Sequence, residues 1–314
     1  MSKEASKEPL FNKITIIGVG LIGSSLARVA RDRNLARSIV LADRSKDVCK
    51  RAKELNLSDD VTDDVTASVK DSDLVILCIP VGATAEVAIK IAPHLKAGAI
   101  VSDVGSVKGA VLDALQQNLP SSVHIVPAHP VAGTEYSGPD AGFATLFVSR
   151  WCILTPPEHT PAAEVEKVHA FWSACGANVE LMSARHHDLV LAITSHVPHL
   201  IAYNIVGTAA DLEEVTQLEV IKFSAGGFRD LTRITASDPT MWRDVFLNNK
   251  DAVLEMLGRF NEDLAALQRM IRRDDGNGLF EFFTRTRAIR RSIIEQGQES
   301  PAPNFGRGPQ LPDQ

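Results

Sequence analysis

The chain is poor in the features that would take it out of ordinary globular, water-facing chemistry. Its four cysteines, Cys49, Cys78, Cys152 and Cys175, are scattered without CxxC spacing, which argues for reduced thiols in a cytoplasmic protein. No apolar run reads as long enough to cross a bilayer, because Pro80, Lys90 and Pro93 interrupt the best candidate, so no membrane partner is expected. There is no basic tract and no basic face studded with aromatics, and 33 Lys+Arg against 39 Asp+Glu leave a net charge of −6. Nucleic acid is therefore not the expected partner, and an anionic small molecule would need local arginines. The stretch Met1–Pro9 mixes Lys3 and Lys7 with Glu4 and Glu8 and has no apolar segment, so it reads as a flexible tail rather than a secretory signal. No internal repeat is present. What remains is 45% hydrophobic and 23% charged over 314 residues, enough for two domains with a real core.

The most informative stretch runs from Lys13 to Asp43. Ile14, Thr15, Ile16 and Ile17 form a mostly β-branched apolar run, the pattern of a strand buried on both faces of a parallel sheet. Gly18, Gly20 and Gly23 follow in G-x-G-x-x-G spacing with Leu21 and Ile22 between them. Such glycines serve a tight turn, close backbone approach to a pyrophosphate and close helix–strand contact. A helix is expected over 24–33, its N-terminal N–H groups and positive dipole end facing the anion. A second strand over 39–42 ends at Asp43, where an acid would bind ribose hydroxyls and favour NAD. Arg44, next in sequence, could accept a 2′-phosphate and keeps NADP open. Gly18, Gly20, Leu21, Ile22, Gly23, Asp43 and Arg44 are the cofactor-binding candidates.

Strand and helix then keep alternating. Helices are expected over 45–55, 83–91 and 107–117, and strands over 73–79, 100–101 and 123–126. This predicts an α/β fold with a doubly wound, mostly parallel Rossmann-type sheet, whose chemistry lies beyond the carboxyl ends of the strands. After Val101 comes Asp103-Val104-Gly105-Ser106-Val107-Lys108, where Ser106 is either a helix cap or a hydroxyl near the nicotinamide end of the crevice. After Val126 comes His129, set between Pro127 and Pro130. It is expected to have a rigid backbone and an exposed ring, suited to a general base with a pKa near 6.5. Strands over 151–154 and 179–182, around a helix over 162–174, are expected to complete the sheet.

Beyond Met182 the strand signal fades, and long helical stretches over 185–208, 212–223 and 244–273 predict an all-helical second domain. The expected organisation is a tail over 1–10, a dinucleotide-binding domain over 11–182, a helical domain over 183–296 and a disordered tail over 297–314. Val253, Leu254, Leu257, Phe260, Leu264 and Leu267 recur at helical spacing, more in keeping with core than with cofactor contact. His186, His187 and Asp188, with Ser195, His196, Pro198 and His199, invite a zinc reading, but they lack a recognised ligand spacing and Pro198 bends the helix. No metal is expected. In Gly226-Gly227-Phe228-Arg229-Asp230-Leu231-Thr232-Arg233 the glycines would turn the backbone. Arg229 and Arg233 there are either carboxylate-binding forks or solvated surface charges.

Taken together and in order, Gly18–Gly23, Asp103–Lys108, His129–Gly138, Ser195–His199 and Gly226–Arg233 resemble the prephenate dehydrogenase family, with its arogenate and cyclohexadienyl members. The resemblance implies oxidative decarboxylation of prephenate to 4-hydroxyphenylpyruvate, or of arogenate to tyrosine, with NAD or NADP. It implies His129 as the base, Ser106 as the group orienting the ring hydroxyl, and Arg233 as the partner of a substrate carboxylate. Ser195 and His199 would line the substrate pocket, Glu135 would sit near its mouth, and the helical domain would form a homodimer. Nothing resembles an appended mutase or regulatory domain. Two other classes compete. A β-hydroxyacid-type dehydrogenase would use a lysine in a glycine-rich helix, and neither Lys222 nor Lys250 has that setting. A non-catalytic NAD(H)-sensing regulator would need no base in the crevice.

Overall fold

The structure, a computed structural model, describes residues 8–134, 136–216 and 222–295. Its first part alternates strand and helix: β1 (Phe11–Ile17), α1 (Leu21–Asp32), β2 (Ala36–Ala42), α2 (Lys46–Glu54), β3 (Asp60–Thr62), α3 (Val65–Ser68), β4 (Leu74–Leu77), α4 (Thr84–Ile91), β5 (Ile100–Asp103), α5 (Gly109–Asn118) and β6 (His124–Ile125). The six strands pair in parallel in the order β3-β2-β1-β4-β5-β6. Alternate residues serve opposite faces. Ile14, Ile16, Leu74 and Ile76 pack with Leu26, Val29, Phe171 and Trp172, whereas Ile17, Val75, Leu77 and Val101 pack with Ala88, Ile91, Val111 and Leu115. Both faces are covered, which is why the strands read as continuous apolar runs rather than alternating ones. The order reverses between β1 and β4, and this opens the crevice at their carboxyl ends.

Several boundaries differ from the sequence-based expectation. α1 begins at Leu21, three residues early, because Gly20 serves as its N-cap and Gly23 sits inside its first turn. α5 begins at Gly109 rather than Val107, because the Lys108 and Gly109 amides turn to a carboxylate from a distant helix. β3, too short and polar to show periodicity, was not expected. The later strands do not complete the main sheet. β7 (Ala128–Pro130), β8 (Trp151–Leu154) and β9 (Asn178–Leu181) form their own three-stranded sheet, with β7 antiparallel and β9 parallel to β8. Pro127, which has no N–H to donate, separates β6 from β7 and ends the parallel ladder there. Helix α6 (Ala162–Ala174) connects β8 to β9 and buries Val168, Phe171 and Trp172.

The helical stretch expected over 185–208 is three pieces: α7 (Ala184–Leu191), a π-helical turn (Ala192–His196) and α8 (Val197–Thr216). Pro198 explains the break. It lacks an N–H and its ring crowds the carbonyl four residues back, and a widened turn relieves both. The span Ala184–Asp211 is long and apolar enough to cross a bilayer by length and composition, a feature the sequence reading passed over. Its histidines and Asp188 are instead spent on a buried polar network described below. Gly226 and Gly227 open helix α9 (Gly226–Thr232) instead of forming a free turn, and Arg233 starts the 3₁₀ turn that follows. The helix expected over 244–273 is two, α10 (Pro239–Asn248) and α11 (Lys250–Arg272), followed by α12 (Gly276–Glu295). The Asp238 carboxylate caps α10 by accepting from the Thr240 and Met241 amides. The helix expected over 212–223, Glu135 and the tail from Gly297 lie wholly or partly outside the described residues.

The described residues fall into two compact units, one up to Met256 and one from Leu257. The apolar series along α11 is not core throughout. Val253 is buried, but Leu254 and Leu264 are exposed, as are Ile271, Phe280 and Phe283 farther on.

Candidate active site

The glycine turn leaves β1 at the crevice, and each glycine has a measurable constraint. Gly18 has φ +95°, and a Cβ there would lie 2.2 Å from the Cys78 carbonyl oxygen. A Cβ on Gly23 would lie 2.0 Å from the Gly18 carbonyl oxygen. On Gly20 it would meet nothing within 4 Å. The first two positions are closed by the protein's own backbone, while the third faces open space. α1 has no side-chain cap and no acid in its first turn, so its N-terminal N–H groups are presented to a ligand as an anion site. These features fit a dinucleotide pyrophosphate. At the tip of β2, the Asp43 carboxylate accepts from the Val19 amide at 2.9 Å and from the Ser45 amide at 2.9 Å. Those bonds orient it beside the glycine turn. Arg44 is exposed, and its charge helps hold the Glu86 carboxyl below its usual range, after the larger effect of Lys90. The segment following His129 is tied down over α1 and α2, where the Phe143 amide donates to Ser25 Oγ at 3.0 Å and Arg51 pairs with Asp140 at 2.6 Å.

A buried polar cluster fills the space beyond β5. The Asp103 carboxylate accepts from the Gly105 amide at 2.7 Å, the Ala128 amide at 3.2 Å and the Lys108 ammonium. Lys108 Nζ also donates to the Ala128 carbonyl at 2.7 Å. Burial pushes the Asp103 carboxyl up and the Lys108 ammonium down. A carboxylate receiving three N–H donors, however, is held in its ionised form. The pair therefore clamps the strand that carries the next residue, His129.

His129 is only 7% exposed, contrary to the expected exposed ring, because β7 pairs with β8 and is covered. The pKa near 6.5 is corrected with it. Burial, then the neighbouring His187, Lys108 and His196, push the ring well below the ordinary histidine value. His129 Nδ1 lies 2.8 Å from His187 Nε2, and His187 Nδ1 lies 2.8 Å from Asp188 Oδ1. Asp188 also accepts from the Lys108 and Gly109 amides, each at 2.8 Å. Burial works against its charge, but the His187 bond and the two amides outweigh it and keep the carboxyl below its usual range. Neither His187 nor Asp188 was expected to touch His129. They had been read with their neighbours as a weak metal pattern, whereas here they meet the base through hydrogen bonds.

The remaining candidates gather around the π-helical turn. His196, fully buried, rests against the Ser106 backbone, and its Nδ1 accepts at 3.1 Å from Asn249 Nδ2, which also donates to the Asp188 carbonyl at 3.0 Å. Burial pushes His196 down to about 4. Ser106 is half-buried in the bend before α5, whose N-cap is Lys108. Ser106 is therefore not the helix cap that one reading offered. His199 Nδ1 donates to the Ser195 carbonyl at 2.8 Å, and its ring stacks on Trp242 with centroids 3.7 Å apart. Burial lowers His199, and Arg233 adds to the effect through its charge, which places the guanidinium in electrostatic reach of that ring. Trp242 and Val245 of α10 pack with Val107 and so dock this face onto the β5–α5 loop. Arg233 and Arg229 are both exposed. Lys108, Asn249 and Trp242 were not singled out from the sequence. The adjacent His-Asp pair in α7 was the one local signal for His187 and Asp188.

Comparison with known proteins gives matches along both halves of the chain. The family model for the prephenate dehydrogenase nucleotide-binding domain matches residues 26–181, and that for the prephenate dehydrogenase dimerization domain matches residues 183–285. The cyclohexadienyl dehydrogenase of Zymomonas mobilis is 46% identical over 284 residues, covering 90% of this chain and 97% of that protein. The prephenate dehydrogenase of Bacillus subtilis is 34% identical over 271 residues, covering 86% of this chain and 73% of that protein. Among solved structures, prephenate dehydrogenase from A. aeolicus in complex with hydroxyphenyl propionate and NAD+ superposes with a TM-score of 0.84. It is 33% identical, and the match covers 90% of this chain and 98% of that chain.

Proposed function

Because the chain belongs to the prephenate dehydrogenase family, we infer that it oxidatively decarboxylates prephenate, arogenate or both, giving 4-hydroxyphenylpyruvate or tyrosine in tyrosine biosynthesis. That membership displaces the β-hydroxyacid and sensor alternatives. The glycine turn, the N-terminus of α1 and Asp43 would hold NAD, which would supply the hydride acceptor. The protein's part is to deprotonate and to position. His129, neutral because it is buried, takes the ring hydroxyl's proton, which raises electron density on the carbon that must release hydride. Ser106 orients that hydroxyl, and Arg233 pairs with a substrate carboxylate. Ser195 and His199 line the pocket, and Glu135 belongs near its mouth. Loss of carbon dioxide creates an aromatic ring, so the driving force is intrinsic to the substrate and positioning is the enzyme's main contribution. The observation that carries this reading is a buried histidine, on a strand that Asp103 and Lys108 clamp through Ala128, next to the dinucleotide crevice.

The same reading extends to assembly. Matching to a dimerization-domain model, together with exposed Leu254, Ile271, Phe280 and Phe283, supports a homodimer through the helices, with the domain boundary near Met182. Asp43, negative and oriented beside the glycine turn, supports NAD over NADP. A cytoplasmic enzyme, free of nucleic acid and membrane, completes the proposal. The test is to give purified protein prephenate and arogenate separately, with NAD and with NADP, following nucleotide reduction and identifying the product by mass. Reduction of NAD with a decarboxylated aromatic product is expected. Absence of reduction with either substrate, or a product that retains the ring carboxyl, would overturn the assignment.

A further inference from the structure

We propose that His187 is the positioning residue that fixes the tautomer of His129, held in turn by its neighbour on α7, Asp188, which accepts the amides at the start of α5. The inference rests on the reading of His129 as the base. Its premise is the order of donors and acceptors. Asp188 accepts the Lys108 and Gly109 amides and faces His187 Nδ1 at 2.8 Å. Its carboxyl lies below the usual range, so it is an anion that offers only lone pairs. A bare Nδ1 at that distance would set two acceptors against each other, and His187 therefore carries its proton on Nδ1. His187 is buried and uncharged, which leaves Nε2 as an acceptor. That nitrogen faces His129 Nδ1 at 2.8 Å, so His129 donates from Nδ1. The lone pair then resides on His129 Nε2, and this is the nitrogen that takes the substrate's proton.

Two consequences follow from the geometry. When His129 gains a proton, the imidazolium keeps its Nδ1–H bond to His187, and the Asp188 anion two bonds away offsets the new charge inside a buried site. The proton is later released from Nε2 to solvent, and His187 itself exchanges none. The rigidity of the device comes from three elements at once: β7 carries His129, α7 carries His187 and Asp188, and the first turn of α5 donates the two amides. The Asn249 side chain, placed at the break between α10 and α11, fastens α7 by donating to the Asp188 carbonyl at 3.0 Å.

The direct experiment is nitrogen NMR of the ¹⁵N-histidine-labelled full chain without substrate at neutral pH, with the His129 signals assigned by their loss in His129→Asn. The wild type is expected to show protonated Nδ1 and bare Nε2 on His129. The reverse tautomer would overturn the proposal whatever the kinetics. In turnover assays, His187→Leu is expected to lower kcat by roughly 10–10³-fold, part of the 10²–10⁴-fold that a general base supplies, with KM for substrate and NAD unchanged. His187→Gln, which can still accept from Nδ1, should recover most of that loss. Adding His187→Leu to His129→Asn should cost nothing further, because a residue acting only through His129 has nothing left to position. Additive losses, or no rescue by glutamine, would assign His187 to general packing. If His129→Asn alone kept near-normal turnover, the base assignment itself would fall, and the NMR result would stand apart from it.

Discussion

Substituting Gly23 and Gly20 by alanine separates the two roles that the glycine turn combines. At Gly23 the new methyl would sit 2.0 Å from the Gly18 carbonyl oxygen, 3.1 Å from its carbon and 3.3 Å from Ile16 Cγ2. The first two are backbone atoms in a turn already fixed by the Gly18 amide donating to the Ala42 carbonyl at 2.7 Å, so no side chain can swing aside. Restoring ordinary contact requires α1 to retreat by roughly 1 Å, an overpacking strain on the order of 1–3 kcal/mol. With about 2–4 °C of Tm per kcal/mol for a unit of this size, the melting temperature should fall by roughly 2–12 °C. The retreat also moves the helix N-terminus from the pyrophosphate, so NAD affinity should fall as well. Gly20→Ala is the control. Its methyl meets no protein atom within 4 Å, so Tm should hold while NAD affinity falls, because the methyl occupies the ligand's side of the turn. Thermal unfolding and calorimetric titration with NAD measure both. Equal loss of Tm in the two variants, or undiminished NAD binding by Gly20→Ala, would refute this division of labour.

Asp43→Ser should shift preference towards NADP, since a carboxylate that repels a 2′-phosphate is removed while Arg44 stays; an unchanged ratio of kcat/KM for the two cofactors would count against Asp43. Arg233→Gln should raise KM for substrate far more than it lowers kcat, because a charge-assisted contact to the substrate carboxylate is lost while base and cofactor site remain. An unchanged KM would move the carboxylate elsewhere, with Arg229 the next position to test. Stability should decline on acidification below the ordinary histidine pKa of about 6.5. Burial lowers His129, His187 and His196 in the folded chain, so the unfolded chain binds more protons in that window. Each group then contributes a slope of up to about 1.4 kcal/mol per pH unit, towards the value of about 4 for His196. Urea midpoints at pH 7.5 and 5.5 check the sign, and a midpoint that rises on acidification would contradict it.

The parts of this fold that were legible from sequence are those set by near neighbours in the chain. β1, the glycine turn, α1, β2 and Asp43 are signalled by apolar runs and spacing within about thirty residues, and the structure returns them with small shifts in boundary. What was not legible depends on distant partners. The burial of His129 comes from pairing with Ile153 across the second sheet, which the prolines around it do not announce. The start of α5 is decided by Asp188, some eighty residues away, and the break at Asn249 makes sense only once its side chain is seen to hold α7. His187 and Asp188 drew notice as possible ligands because their types were visible, but their use required knowing which strand they would face. The exposed members of the α11 series show a further limit: helical spacing says that a face is apolar, not which molecule covers it.

The central claim, that a buried, neutral His129 is the base, is tested most directly by the pH dependence of kcat/KM for the wild type and His129→Asn with the preferred substrate and saturating NAD. The wild type should lose activity on acidification with an apparent pKa below the usual 6.5, because burial, His187, Lys108 and His196 all disfavour the charged ring. In His129→Asn the rate should fall by about 10²–10⁴-fold, the acidic limb should vanish, and NAD should bind as before. Near-normal turnover in the variant, or the same acidic limb on a reduced rate, would contradict the claim and turn attention to His199.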